Sequence, residues 1–205
     1  MEAGGSAREA ADRMAEVEAA HLRKAQAAAR MSANFRAGAE GEVALVQSLA
    51  PLVDKGWFVF PDLRNPRGGN LDVVVAGPAG VGVVDSKNWA FPVAVRAERI
   101  YTGKYSRTGK LDAVQRQVEL VEDVLAHLSF PVVVQGFLTL VGQHDRGREP
   151  ETVRDVWVVG LEHLAPGIAG SRRQLSDGQV DDVVAALRAA FSPALNGAGA
   201  ARSPS

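Results

Sequence analysis

The sequence predicts one folded domain of the α/β or α+β class. The first observation is that amphipathic helical repeats and β-branched runs follow one another along the chain. The second is size, because 205 residues with a hydrophobic content of 46% suffice for one domain with a full core and tails. They are too few for two domains that each have a full hydrophobic core. The third is the absence of cysteine, which excludes disulfides and thiolate metal sites.

Two helical patterns open the chain. Residues 5–33 are rich in Ala, Glu and Arg with only a thin apolar stripe, which favours a solvent-exposed or loosely docked helix. In residues 38–53, Leu45 and Leu49 belong to an apolar face at helical spacing. Glu42 falls on that face, whereas Glu40 lies on a more polar side. We therefore predict that Glu42 is the acid that faces the sheet.

The strand patterns follow. A short apolar strand at 57–60 and a polar loop at 61–70 precede two β-branched runs separated by Gly-Pro-Ala-Gly, which predict a β-hairpin over residues 71–87. A further strand is expected at 92–102. The remaining predicted elements are helix 111–128, strands 131–141 and 152–159, a helical turn at 162–165, and a last helix at 177–191 with Ser176 as its N-cap.

The hairpin predicts a cluster of charged side chains. If the Gly-Pro-Ala-Gly segment is the turn, Ala76 lies opposite Val81 and Asp72 lies opposite Asp85, with Cβ atoms about 5 Å apart. Two carboxylates so close destabilise the fold unless something lies between them, and a divalent cation is the obvious candidate. Lys87 projects from the same face. The ordinary alternative, which the hairpin alone favours, is a structural ion pair between Lys87 and one aspartate.

The residues around the hairpin resemble the nuclease-related domain (NERD), a branch of the PD-(D/E)xK nuclease superfamily. The segments that carry the resemblance are Asn70-Leu71-Asp72, Gly77-Pro78-Ala79-Gly80-Val81 and Val84-Asp85-Ser86-Lys87-Asn88-Trp89. The upstream Gly38-Ala39-Glu40-Gly41-Glu42 and the downstream Arg116-Gln117-Val118 match in the expected order. The resemblance covers about residues 38–164.

The resemblance implies a restriction-endonuclease-like core, a mixed central β-sheet flanked by helices, here with an N-terminal helical extension. It implies hydrolysis of phosphodiester bonds, with DNA as the expected substrate and Mg²⁺ or Mn²⁺ as the cofactor. The implied metal ligands are Glu42, Asp72, Asp85 and the backbone carbonyl of Ser86. Lys87 would orient the attacking water and stabilise the phosphoryl charge. Gln117 would position the site or the substrate strand, although an amide that bonds to backbone explains it nearly as well.

Two positions depart from the family pattern. Val73 stands where a histidine commonly follows the first aspartate, and Phe91 stands where a glycine is common. Neither residue replaces an implied ligand, so the metal-site prediction is unchanged. Both are expected to affect access of the substrate.

Nucleic-acid binding is predicted from a local patch, because a net charge of −1 gives no global basic field. In the most basic segment of the chain, cations alternate with tyrosines, as suits phosphate contacts and base stacking. The candidates, with two arginines that precede Asp72, are Arg64, Arg67, Arg96, Arg99, Lys104, Arg107 and Lys110. A solvated hairpin explains them equally well. The alternative function is therefore a catalytically inactive module of the same fold that binds nucleic acid or a protein partner.

The expected organisation is a helical extension at 1–37, a nuclease-like core at 38–168, a C-terminal helix at 169–192 and a disordered tail at 193–205. The N-terminus has no signal-peptide pattern, and no apolar stretch approaches the roughly 20 residues that span a bilayer. We therefore expect a cytoplasmic location and no membrane partner. A homo-oligomer that forms through the N-terminal helix is a further hypothesis.

Overall fold

The computed structural model describes residues 38–65 and 68–193, and those from Gly41 onward belong to one compact unit. The helices of the described residues are α1 (residues 38–49), followed by a 3₁₀ turn (Ala50–Lys55), α2 (Gly109–Leu125), α3 (Leu161–Ala169) and α4 (Asp177–Ala190). The strands are β1 (Phe58–Arg64), β2 (Asn70–Gly77), β3 (Gly80–Lys87), β4 (Val93–Arg96), β5 (Arg99–Thr102), β6 (Tyr105–Ser106), β7 (Val134–Leu140), β8 (Glu151–Val153), β9 (Val156–Gly160) and β10 (Ser192–Pro193).

The main sheet is mixed and has seven strands in the order β10-β1-β2-β3-β7-β9-β8. Strands β1 to β3 pair antiparallel, whereas β7 pairs parallel with both β3 and β9. A parallel connection needs a crossover, and α2 lies between β3 and β7 in the chain. Strands β4, β5 and β6 form a separate three-stranded sheet, here called the small sheet.

Helices cover both faces of the main sheet. On one face, Val121 of α2 and Val183 of α4 pack in a cluster with Val74 of β2. On the other face, Leu49 of α1 packs in a cluster with Val73. Because successive side chains of a strand point to opposite faces, the run of three valines at 73–75 in β2 contributes to both clusters. The predicted class, a mixed central sheet flanked by helices, is confirmed.

The central hairpin has the predicted register and a tighter turn. Ala76 lies opposite Val81, as expected, but Gly77 also pairs with Gly80, so that only Pro78 and Ala79 remain in the turn. Gly80 has a φ of 120°, a conformation that glycine adopts readily. A Cβ at Gly77 would overlap the Trp57 indole.

Several boundaries differ from the predictions. The predicted loop at 61–70 begins with strand, because β1 continues to Arg64. The single strand expected at 92–102 is two strands joined by Ala97 and Glu98, which both have positive φ. The expected turn at 162–165 is a full helix, and the strand expected from residue 131 begins at Val134.

Ser176 caps α4 as predicted, since its hydroxyl accepts a hydrogen bond from Gln179 N. The predicted N-terminal helix and nearly all of the predicted tail lie outside the described residues. Within the described ranges, no helix has both the length and the apolar character that crossing a bilayer requires.

Candidate active site

Asp72, Asp85 and Lys87 lie at the open end of the β2–β3 hairpin. The last paired residues are Val73 and Val84, and continuation of this register points to Asp85 as the residue opposite Asp72, the pair that the sequence predicts. Asp85 is only 8% exposed because β3 is a central strand, with β2 on one side and β7 on the other. Asp72 and Lys87 are half-buried.

The contacts of this cluster are short and specific. Lys87 Nζ lies 2.6 Å from Asp85 Oδ2 and donates a hydrogen bond of 2.7 Å to the carbonyl oxygen of Ser86. Asp72 Oδ2 accepts hydrogen bonds from Ser86 N at 2.9 Å and from Ser86 Oγ at 3.2 Å. The Lys87 ammonium therefore contacts two of the oxygens that the sequence nominated as metal ligands.

The surroundings of Asp85 disfavour the ionised form of its carboxyl group. Burial raises the pKa of Asp85 above its usual range, Lys87 opposes this effect, and the neighbouring Asp72 adds to it. The Lys87 ammonium thus does not fully replace the hydration that Asp85 has lost. Apart from this ion pair, Asp85 Oδ2 has no hydrogen-bond partner within the described part of the chain.

Glu42 borders the cluster from the first turns of α1. Gly41 makes this approach possible, because a Cβ there would lie 2.9 Å from Cγ2 of Val141, which follows β7. Glu42 was predicted to be the acid that faces the sheet, and in the structure its side chain is exposed. Its pKa is nevertheless raised, by partial burial first and then by Asp72 and Asp62.

Asp62 is an acidic neighbour that the sequence analysis missed. It has a φ of 47° within β1, and the register on either side of it points to Asp72 as its opposite residue. Its Oδ1 accepts a hydrogen bond of 2.9 Å from Asn70 Nδ2. The available signal was an aspartate inside an otherwise apolar strand, since aspartate tolerates the left-handed region better than most residues.

Gln117 and Thr139 supply buried oxygens without hydrogen-bond partners in the described ranges. Gln117 is half-buried in α2, and its Oε1 is one of these atoms. No hydrogen bond joins Gln117 to Asp72, Asp85 or Lys87 in the described residues, so its role stays a prediction. Thr139 is fully buried in β7 opposite Ser86, and its Oγ1 is the second such atom.

No set of three or more His, Cys, Asp or Glu side chains in the described ranges is arranged to hold a metal ion. The expected gathering of Glu42 with both aspartates is therefore not formed. Mg²⁺, however, is commonly bound through only one or two carboxylates, with waters and substrate oxygens completing its shell. Asp72, Asp85 and the Ser86 carbonyl are hard oxygen donors side by side, and this donor chemistry fits Mg²⁺ or Mn²⁺.

The predicted nucleic-acid contacts lie in two places. Arg64 is exposed at the end of β1, and Arg67 lies outside the described residues. The others belong to the small sheet, to the segment that follows it and to the first turn of α2: Arg96, Arg99, Lys104, Arg107 and Lys110. After the effects of burial and Lys87, Lys110 also acts on the pKa of Asp85, lowering it. The small sheet is near the candidate site along the chain, since five residues separate Lys87 from Val93 at the start of β4.

A family model described as the nuclease-related domain, NERD, matches residues 37–141, just over half of the chain. The matched segment contains α1, α2 and every strand from β1 to β7, and so all the residues of the cluster. Searches of curated proteins and of solved structures gave no match.

Proposed function

The chain belongs to the nuclease-related domain family, and on that premise we propose that it is a metal-dependent nuclease that hydrolyses phosphodiester bonds in DNA. The observation that carries the proposal is the meeting of Asp72, Asp85 and Lys87 at one end of the central hairpin. Two carboxylates beside an ammonium, all partly removed from water, form an arrangement suited to phosphate chemistry.

In this proposal Asp72, Asp85 and the Ser86 carbonyl would hold Mg²⁺ or Mn²⁺, and Glu42 would contribute directly or through a water. The bound ion would supply an activated water and relief of charge on the phosphoryl group. Lys87 has three N–H donors and two present contacts, so it would donate to a phosphoryl oxygen as well. Gln117 serves as a positioning residue for the site or the substrate strand.

Nuclease activity is tested on the full chain with plasmid and single-stranded DNA in Mg²⁺, in Mn²⁺ and in EDTA. The variants are Asp85→Asn and Lys87→Met, with Asp54→Asn, an exposed acid in the 3₁₀ turn, as the control. We expect both site variants to lose at least about 100-fold in rate, as removal of one transition-state contact typically does, while the control cleaves like wild type. Cleavage that persists undiminished in both site variants, or in EDTA, would reject the assignment.

A second candidate is an inactive member of the family that binds nucleic acid or a protein partner. The Lys87–Asp85 ion pair favours it, because the same contact would serve a purely structural role at a strand end. Its signature would be the absence of metal-dependent cleavage together with binding of nucleic acid that neither Asp85→Asn nor Lys87→Met weakens.

A further inference from the structure

Aromatic side chains stand in solvent beside the candidate active site. Phe91 is 59% exposed and Tyr105 is 57% exposed. They are the two aromatic members of the exposed large hydrophobic side chains in the described residues. Exposure of such large rings to water does not stabilise the folded chain, and exposed aromatic side chains are common on surfaces that bind a partner.

Arg107 is fixed against two aromatic rings of the same surface. Its guanidinium carbon lies 5.8 Å from the centroid of the Trp89 ring and 5.9 Å from that of Tyr105. Its Nε donates a hydrogen bond of 3.0 Å to Oγ1 of Thr102, which is buried and lies opposite Tyr105. Lys104 Nζ lies 5.6 Å from the Tyr105 centroid. Cations held over rings keep their charge available while losing little conformational freedom on binding.

The charge of this surface suits an anionic partner. Between Trp89 and Lys110 the sequence has one acid, Glu98, and five cations, which are Arg96, Arg99, Lys104, Arg107 and Lys110. The chain as a whole has a net charge of −1, so this excess is local. A local excess of this kind attracts phosphates without a global basic field.

The surface is held firmly next to the cluster. Trp89 and Phe91 follow Lys87 by two and four residues. Both backbone groups of Val93 are bound, since Asp145 Oδ2 accepts from Val93 N at 2.9 Å and Arg148 Nη1 donates to Val93 O at 2.8 Å. Ile100 is fully buried and anchors the small sheet in the core that it shares with β7 and β9.

We propose that the small sheet and the segment that leads into it from Lys87 bind an unpaired nucleic-acid strand, whose bases stack on Phe91 and Tyr105 and whose phosphates contact Arg107 and its neighbouring cations. The proposal rests on the proposed function and specifies its substrate as single-stranded. In a duplex the bases are stacked on each other, so their faces are not free to stack on exposed aromatic side chains. The bases of an unpaired strand have free faces.

The test is fluorescence anisotropy in EDTA with the full chain and three labelled probes: a single-stranded DNA 20-mer, the same sequence as a duplex, and the corresponding single-stranded RNA. The variants are Phe91→Ala and Tyr105→Ala, with Tyr105→Phe as the conservative variant and Val53→Ala, an exposed apolar residue of the 3₁₀ turn, as the control. Thermal unfolding of each variant checks that it remains folded.

We expect each alanine variant to raise the Kd for the single strand roughly tenfold, as loss of one stacked base does, and to leave duplex binding unchanged. Tyr105→Phe and Val53→Ala should bind like wild type. An RNA strand that shows the same dependence on both rings would support the proposal and include RNA in the substrate class. Equal losses on duplex and single strand, no loss on either, or no binding of any nucleic acid would overturn it.

The two proposals fail separately. If plasmid is cleaved in a manner that depends on Asp85 while the ring variants bind the single strand normally, the inference about the small sheet falls and the nuclease proposal stands. If no probe is cleaved but both rings are needed for single-strand binding, the binding surface stands without the enzyme.

Discussion

The hairpins β2–β3 and β4–β5 are both antiparallel pairs of strands, but the first is buried and the second is largely exposed. Every residue of β2 from Val73 to Ala76 is at most 1% exposed, and the turn relies on Gly77 and Gly80. The β4–β5 hairpin buries only Val93, Ile100 and Thr102, and its turn uses two residues other than glycine. A buried hairpin is thus restricted in nearly every side chain, whereas an exposed one leaves positions free for cations and rings. The acids Asp72 and Asp85 lie on the first hairpin, whereas the predicted substrate contacts lie on the second and in the segments that flank it.

The largest expected effect lies in the buried hairpin. Gly77→Ala places a Cβ within the Trp57 indole, whose side chain is itself buried, so the core must shift. We expect a loss of about 1–3 kcal/mol in the free energy of unfolding, the usual cost of overpacking, measured by urea denaturation. Gly178→Ala is the matched control, because a Cβ there meets no atom within 4 Å. If the two variants were equally stable, the tight contact with Trp57 would be disproved.

The next effect concerns the attachment of the small sheet. Asp145→Ala removes the acceptor for the Val93 N–H, and an unpaired buried donor costs about 1–3 kcal/mol. We expect faster hydrogen exchange in β4 and β5 and unchanged exchange in β2 and β3, measured by mass spectrometry. Exchange that accelerates equally in both hairpins would show that the small sheet does not open independently of the core.

A smaller gain in stability is expected at the exposed turn. Ala97 has a φ of 46°, a left-handed conformation that costs an ordinary residue about 1–2 kcal/mol. Ala97→Gly should remove most of that cost, offset by the greater freedom of glycine in the unfolded chain, for a net gain of about 0.5 kcal/mol. Ala94→Gly, inside β4, should instead destabilise. Urea midpoints that fall in both variants would contradict the assignment of strain to the turn.

The smallest effect depends on pH. Because the pKa of Glu42 is raised by partial burial and then by Asp72 and Asp62, its ionisation opposes folding. The protonated Glu42 side chain contributes fully to stability at pH values below 4.5, its ordinary pKa. This contribution is lost as the pH rises through the higher pKa of the folded state. In EDTA, Glu42→Gln should match wild type in acid and unfold at higher urea near neutral pH. Glu119→Gln, exposed on α2, is the control, and a gain of equal size at all pH values would refute the electrostatic explanation.

The sequence was informative where the pattern was strong. Two β-branched runs around a Gly-Pro turn leave one register, and this register brought Asp72 opposite Asp85. The same reasoning did not indicate that Glu42 is exposed, because helical periodicity identifies a face but not where the helix end lies relative to the sheet. Asp62 and the Ala97–Glu98 turn were missed because a positive φ in residues other than glycine leaves little trace in composition.

The backbone bonds of Asp145 and Arg148 to Val93 have a consequence for fragments of this protein. Both side chains lie beyond residue 141, where the family match ends. A fragment cut at that boundary would retain all the acids of the cluster and Lys87, yet would lose the two residues that fasten the start of β4. A fragment that keeps the start of β4 attached must therefore extend beyond the segment that matches the family model.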